Sequence, residues 1–216
     1  MKVIGLTGLP SVGKEAVWDF INELCLERGL KAIHISFSDE IRREATLLGV
    51  AKDKLDRESI TALVGRMRLT EGFGVLARRI ARRIRDEHAD IYVVEAIRHP
   101  AEVEVLRESY PMSFVLAAVV AELETIAQRL IERARIDESP AALKSMDRAV
   151  ELLERELRGN GGVTIDVGKC IKMADVVIHN DGSLADLRED VRRTFEPMIG
   201  RAATGRTRRG GTAGTE

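Results

Sequence analysis

Lys2-Val3-Ile4-Gly5-Leu6-Thr7-Gly8-Leu9-Pro10-Ser11-Val12-Gly13-Lys14-Glu15-Ala16 is the stretch whose reading decides the fold. Residues 2–7 form a short, mostly apolar run with the character of a buried strand. Gly8 and Gly13-Lys14 then stand at the spacing of a phosphate-cradling loop, and a helical pattern starts at Glu15. Strand, glycine loop and helix therefore arrive in the order such a loop requires. Glycines let backbone N–H groups curl around phosphate oxygens, a lysine at position 14 meets the outer phosphates, and the helix N-terminus adds its positive dipole end. The expected anion site comprises Gly8, Leu9, Pro10, Ser11, Val12, Gly13, Lys14, Glu15 and Ala16. A plain glycine turn between strand and helix is the alternative reading.

Working outward, apolar runs alternate with stretches of helical period, which is the signature of a parallel sheet covered by helices. The expected strands are Lys2 to Thr7, Ala32 to Ser36, Ile91 to Glu95, Ser113 to Val119 and Asp175 to His179. Helices are expected from Glu15 to Arg28, Asp39 to Leu48, Arg57 to Glu87, Ala101 to Glu108, Leu123 to Arg133, Ala141 to Arg158 and Ser183 to Met198. This is an α/β fold with a parallel five-stranded sheet, read as one domain over residues 1–198. Gly159-Asn160-Gly161-Gly162 reads as a mobile turn, and the aperiodic Gly/Thr/Ala/Arg stretch 199–216 as a disordered tail.

Thirty-four Lys and Arg against 35 Asp and Glu leave a net charge of -1, so the chain has no general attraction to a polyanion. With only 4% aromatic residues it also has few rings to stack on single-stranded nucleic acid. The dense Arg78-Arg79, Arg82-Arg83, Arg85 cluster is accordingly read as a solvated helix face, with a nucleic-acid patch as the sharper alternative. Cys25 and Cys170 lack metal-ligand spacing and read as reduced thiols. No apolar run is long enough to span a membrane, and a cytoplasmic location is the expectation.

Three further groups are candidates for chemistry. Glu95 ends a buried-type strand, where open α/β sheets bind their ligands; it could hold Mg²⁺ or cap the following turn. Arg98, three residues on, could bind an acceptor phosphate or pair with Glu95. Asp39 follows a Ser N-cap signal, and Arg42 on the same helix could grip the acceptor or be solvated, the two readings standing level. Arg129, Arg133 and Arg135 precede the polar turn Asp137-Glu138-Ser139-Pro140, as lid arginines would, although Arg-rich helix ends are common. At Glu15, where the loop pattern (Walker A) expects Ser or Thr, a carboxylate could coordinate the metal itself or repel the nucleotide.

Taken together, these motifs resemble the nucleoside monophosphate kinase group of P-loop kinases, including adenylate kinase and dephospho-coenzyme A kinase, and in particular an archaeal-type family of uncharacterised kinases related to them. The matching pieces are residues 3–10 with Gly13-Lys14, Asp39-x-Ile41-Arg42, Val93-Val94-Glu95-Ala96-Ile97-Arg98, and Ala174-Asp175-Val176-Val177-Ile178-His179-Asn180-Asp181-Gly182. The resemblance implies a P-loop NTPase fold with acceptor-binding helices over about 37–88 and a lid over about 129–162. It implies ATP and Mg²⁺ as cofactors, Lys14, Arg129, Arg133 and Arg135 as catalytic residues, and Glu95 as a contact of the metal or the acceptor; Glu15, the second candidate metal contact, departs from the Gly, Ser, Thr or Asp usual in those relatives. Asp39, Arg42 and Arg98 would bind the acceptor, and the turn at Asn180 would lie beside the adenine. The implied activity is phosphoryl transfer from ATP to a nucleoside or deoxynucleoside monophosphate, with dephospho-coenzyme A as alternative acceptor. A nucleotide-binding regulator without transfer activity is the rival reading. Partners would be small nucleotides, with no membrane, nucleic acid disfavoured and a homodimer left open.

Overall fold

A computed structural model describes residues 1–49, 57–136, 145–159 and 165–200, with the backbone alone given at 57, 58, 60, 61, 135 and 136. Five strands, β1 (Lys2–Thr7), β2 (Ala32–Ser36), β3 (Ile91–Ile97), β4 (Phe114–Val120) and β5 (Val176–His179), pair in parallel in the order β2-β3-β1-β4-β5. Helices α1 (Lys14–Glu27), α2 (Phe37–Leu47), α3 (Arg57–Glu71), α4 (Val75–Asp86), α5 (Pro100–Ser109), α6 (Leu123–Ile136), α7 (Met146–Arg158), α8 (Val167–Lys172) and α9 (Leu184–Phe195) cover both faces.

The continuous apolar strand runs follow from this two-sided cover. Ile4, Leu6, Val93, Ala117 and Val119 pack with α1, α6, α7 and α9, while Val3, Tyr92, Val94 and Leu116 pack with α2, α4 and α5. Alternate residues of one strand thus serve two cores. The chain leaves β1 toward β2 on one side and leaves β3 toward β4 on the other. The carboxyl ends of β1 and β3 therefore bound the crevice in which doubly wound sheets bind ligands.

Two expectations need correction. The single helix expected from Arg57 to Glu87 is broken, because Gly72 takes a left-handed φ of 83° that ends α3. At Gly74 a Cβ would sit 2.5 Å from Val105, so only glycine lets α4 start this close to α5. α8, which the periodicity did not suggest, is six residues long and starts from an Asp166 cap on the Lys169 N–H. Asn160, Gly161, Gly162, the polar turn at 137–140 and the tail from 201 lie outside the described residues.

The Arg-rich helix α4 uses part of its charge internally, while Arg82 and Arg85 are exposed. Arg79 pairs with Glu44 of α2 and Glu71 of α3, and Arg83 pairs with Glu87 at 2.7 Å. Both cysteines are buried, and burial pushes their thiols up, to about 11 for Cys25 and about 12 for Cys170. No helix among the described residues is long and apolar enough to cross a membrane.

β3 carries one local irregularity. Leu6 faces Glu95 and Thr7 faces Ile97, so Ala96 is the extra residue of a bulge, with a left-handed φ of 67°. Alanine in this conformation is strained by about 1–2 kcal/mol, while glycine is not. We expect Ala96→Gly to raise unfolding stability by about 0.5–1 kcal/mol in urea titrations, after the added flexibility of the unfolded chain is offset. An unchanged or lower midpoint would show that the bulge carries no such strain.

Candidate active site

The glycine loop is wedged between the ends of β4 and β5. Gly8 has a φ of 139°, and a Cβ there would lie 2.4 Å from the carbonyl oxygen of Val119. Gly13 has a φ of 99°, and a Cβ there would lie 2.2 Å from the Asn180 amide nitrogen. Asn180 donates from that nitrogen to the Val12 carbonyl at 2.8 Å, and Arg129 donates to the Asn180 carbonyl at 3.0 Å. Leu9 and Val12 point into the core, and Ser11 adopts a positive φ of 59° with its buried hydroxyl unpartnered. Backbone rather than side chain is what this loop presents outward.

A cavity of about 520 Å³ opens above it. Its floor is Pro10, Ser11, Gly13, Lys14 and Glu15. One wall, from β2 and α2, carries His34, Ser36, Ser38, Asp39 and Arg42; the end of β3 gives Glu95, Ala96 and Arg98; α6 gives Arg129 and Arg133. The structure thus gathers Lys14, Glu15, Asp39, Arg42, Glu95, Arg98, Arg129 and Arg133 around one space. Gly8, Leu9, Val12, Ala16 and Asn180 stand outside that lining. Asn180 in particular is buried beneath the loop as its brace. Arg135 lies on α6, and its side chain is outside the described residues.

The electrostatics favour an anion. Lys14 donates to the carbonyls of Leu9 at 2.8 Å and Gly8 at 3.2 Å. Its burial, with Arg98 adding repulsion, lowers its pKa to about 8. Burial opposes ionisation of Glu95, but a 2.9 Å hydrogen bond with His34 and the nearby Lys14 outweigh it and hold Glu95 below the usual carboxylate range. His34 in turn stacks on Trp18, with centroids 4.9 Å apart. Arg42 pairs with Asp39 at 3.1 Å on an exposed helix turn.

Several supporting residues escaped the sequence reading. Glu102 caps α5 and accepts from the N–H groups of Arg98 and His99 at 3.0 and 3.1 Å, fixing the backbone that carries Arg98. Its other oxygen accepts from Arg68 of α3 at 2.8 Å in a buried pair. Burial raises the Glu102 pKa against the pull of Arg68. The Asp166 N–H donates to the Arg98 carbonyl at 2.8 Å, and buried Glu156 of α7 stands 3.8 Å from the Arg98 guanidinium. A Glu in the third helical position after a Pro-started helix was the available signal for Glu102; Glu156 offered none beyond an acid in an amphipathic helix.

Among the described residues no aromatic side chain lines the cavity, and Trp18 touches it only through His34. Tyr92, Phe195, Phe37 and Tyr110 are buried. Phe114 lies against Gly5, Phe73 stacks on His99, and Arg188 lies over Phe20.

Among the described residues no group of three His, Cys, Asp or Glu could hold a metal on its own. Glu15 and Glu95 on one cavity instead fit an ion that arrives on phosphates and keeps much of its water, as Mg²⁺ does. The positive φ values at Ser11 and Gly13, 59° and 99°, give the loop the kind of turn from which backbone N–H groups form an anion-binding concavity, which fits a polyphosphate.

No family model matches the chain. It is 31% identical over 193 residues to a UPF0200 protein of Methanosarcina mazei, covering 89% of this chain and 92% of that protein. To a UPF0200 protein of Methanothermobacter thermautotrophicus it is 29% identical over 200 residues, covering 92% and 91%. Among solved structures, TT1252 from Thermus thermophilus superposes with a TM-score of 0.58 at 19% identity, over 92% of this chain and 98% of that one. Shikimate kinase from Bacteroides thetaiotaomicron gives 0.53 at 14% identity over 91% and 98%, and the APS kinase CysC of Mycobacterium tuberculosis 0.51 at 18% over 90% and 97%. The chain thus has the fold of the P-loop kinases.

Removing the Asn180 amide leaves the Val12 carbonyl buried without its donor. We expect Asn180→Ala to cost about 1–3 kcal/mol in chemical denaturation. A loss below a few tenths would show that the loop stands without its brace.

Proposed function

The chain belongs to the UPF0200 family, and we propose that it works as an ATP-dependent phosphotransferase acting on a small acceptor that carries an anionic group. The observation that supports this most is the cavity itself: it joins the glycine loop and Lys14 to Arg98 and Arg42 on one side and to Arg129 and Arg133 on the other. Five cationic side chains around one space, against three carboxylates, suit two anionic reactants brought together.

In this reading the loop amides and Lys14 bind the donor polyphosphate, which draws the Lys14 pKa back up from about 8. Magnesium carried with ATP neutralises charge on the phosphates. Glu15 and Glu95 are placed to meet its water shell. Arg98, held by Glu102 and Asp166 at its backbone, and Arg42 on the first turns of α2 hold the acceptor anion. Arg129 and Arg133 approach the transferring group from the lid side of α6, and Arg135 is the third arginine assigned to the transfer. An acceptor oxygen forms the new bond to the γ-phosphorus as the bond to ADP breaks, so the protein's task is alignment and charge neutralisation.

A nucleoside or deoxynucleoside monophosphate and dephospho-coenzyme A both remain acceptors for assay, since each would use the same core. The rival reading, a nucleotide-binding regulator, draws on Glu15 standing where a hydroxyl residue is expected.

The test is ADP formation from MgATP across a panel of monophosphates, deoxymonophosphates, dephospho-coenzyme A and base-free sugar phosphates. We expect acceptor-dependent ADP formation that falls at least about a hundredfold in Lys14→Ala, the scale of losing one preorganised charge-stabilising group. Nucleotide binding without acceptor-dependent ADP, or ADP formation indifferent to Lys14→Ala, would overturn the kinase reading.

A further inference from the structure

The acceptor half of the cavity lies between the ends of β2 and β3 and the start of α2. Its walls are His34, Ser36, Ser38, Asp39, Arg42 and Arg98, every one a hydrogen-bonding or charged side chain. Carbon surface comes from Ala96 and Pro10, each too small to cover a base ring. Binding pockets for flat organic rings ordinarily supply broad apolar or aromatic faces with a few polar groups among them, and this half of the cavity has the opposite balance.

The aromatic side chains do not alter this balance. The five Phe, two Tyr and one Trp all fall among the described residues, so the stretches 50–56, 137–144, 160–164 and 201–216 contribute none. None of the eight lines the cavity. The single Trp is committed to the His34 ring, and Nε2 of His34 is committed to Glu95.

Resting on the phosphotransferase reading above, we infer that the acceptor is a compact, base-free sugar phosphate, and that the described walls of the acceptor half hold no subsite for an acceptor nucleobase. The anion is held by Arg98 and Arg42. Hydroxyl groups are met by Ser36, Ser38 and Asp39, which offer both donors and an acceptor. On this account the base of a nucleoside monophosphate gains nothing over the sugar phosphate that carries it.

Calorimetry on the full chain tests this directly. The protein is first titrated with a non-hydrolysable MgATP analogue, and then, with that analogue saturating, with ribose 5-phosphate and separately with AMP, CMP, GMP and UMP. We expect ribose 5-phosphate to bind within threefold of each nucleotide, and Arg98→Met to weaken all five at least tenfold. A nucleotide binding tenfold or more tightly than ribose 5-phosphate overturns the inference while leaving the kinase reading intact. Absence of any ribose 5-phosphate binding overturns it too. Failure of the analogue itself to bind, in a protein shown folded by circular dichroism, removes the reading on which the inference rests.

Discussion

Two close approaches hold the rest of the site in place: the Val119 carbonyl against Gly8 and the Asn180 amide against Gly13. They put the ends of β4 and β5 where side chains on the loop would otherwise stand, and so press the loop backbone toward the crevice above β1 and β3. The core tightens the same constraint from below, since Leu9 and Val12 are buried and leave the peptide groups between them facing outward. Lys14 is then carried under the loop on the first residue of α1, hydrogen-bonded to two of its carbonyls. Burying an ammonium beside Arg98 is unfavourable, which the lowered Lys14 pKa records. A polyphosphate would relieve that cost, so the shape of the loop and the buried lysine are two sides of one arrangement.

Around this centre, charge is organised in two layers. Facing the cavity are Arg98, Arg42, Arg129 and Arg133; behind Arg98 stand carboxylates that fix its position. Glu102 is the clearest case. It is buried, pairs with Arg68 of α3, and takes the N–H groups of Arg98 and His99 with its second oxygen. The helix pair on the acceptor side is thereby tied to the strand end that carries Glu95 and Arg98. Glu156 relates Arg98 to α7 in a looser way, at 3.8 Å. A movement of either helical region would therefore be felt at the same guanidinium.

Much of the fold was legible because its signals are local. A strand run, a glycine loop and a helix in succession are set by residues 2–28 alone, and all five strands lie within two residues of where their apolar runs place them. The break between α3 and α4 was written in Gly72 and Gly74, yet an uninterrupted arginine pattern on either side outweighed it in a reading based on period. α8 is too short to have a period at all. Within the site, loop residues and strand-end acids were found because topology places them. Arg68, Glu156 and His34 were not, because their importance comes from partners 34 to 61 positions away in the chain, as for Arg68 with Glu102 and His34 with Glu95, whereas Glu102 had a local signal in its cap position after Pro100 that went unused. Asn180 was singled out for a different reason than the one the structure gives: its amide supports the loop from beneath.

Amide hydrogen exchange on the full chain with and without MgADP measures the central claim, that the backbone of residues 8–14 is a polyphosphate cradle. The account predicts that exchange slows at the N–H groups of this loop, and that Lys14→Ala abolishes the slowing in a chain that remains folded. Unchanged exchange in the loop at nucleotide saturation, or protection confined to a surface away from β1 and β3, would contradict it.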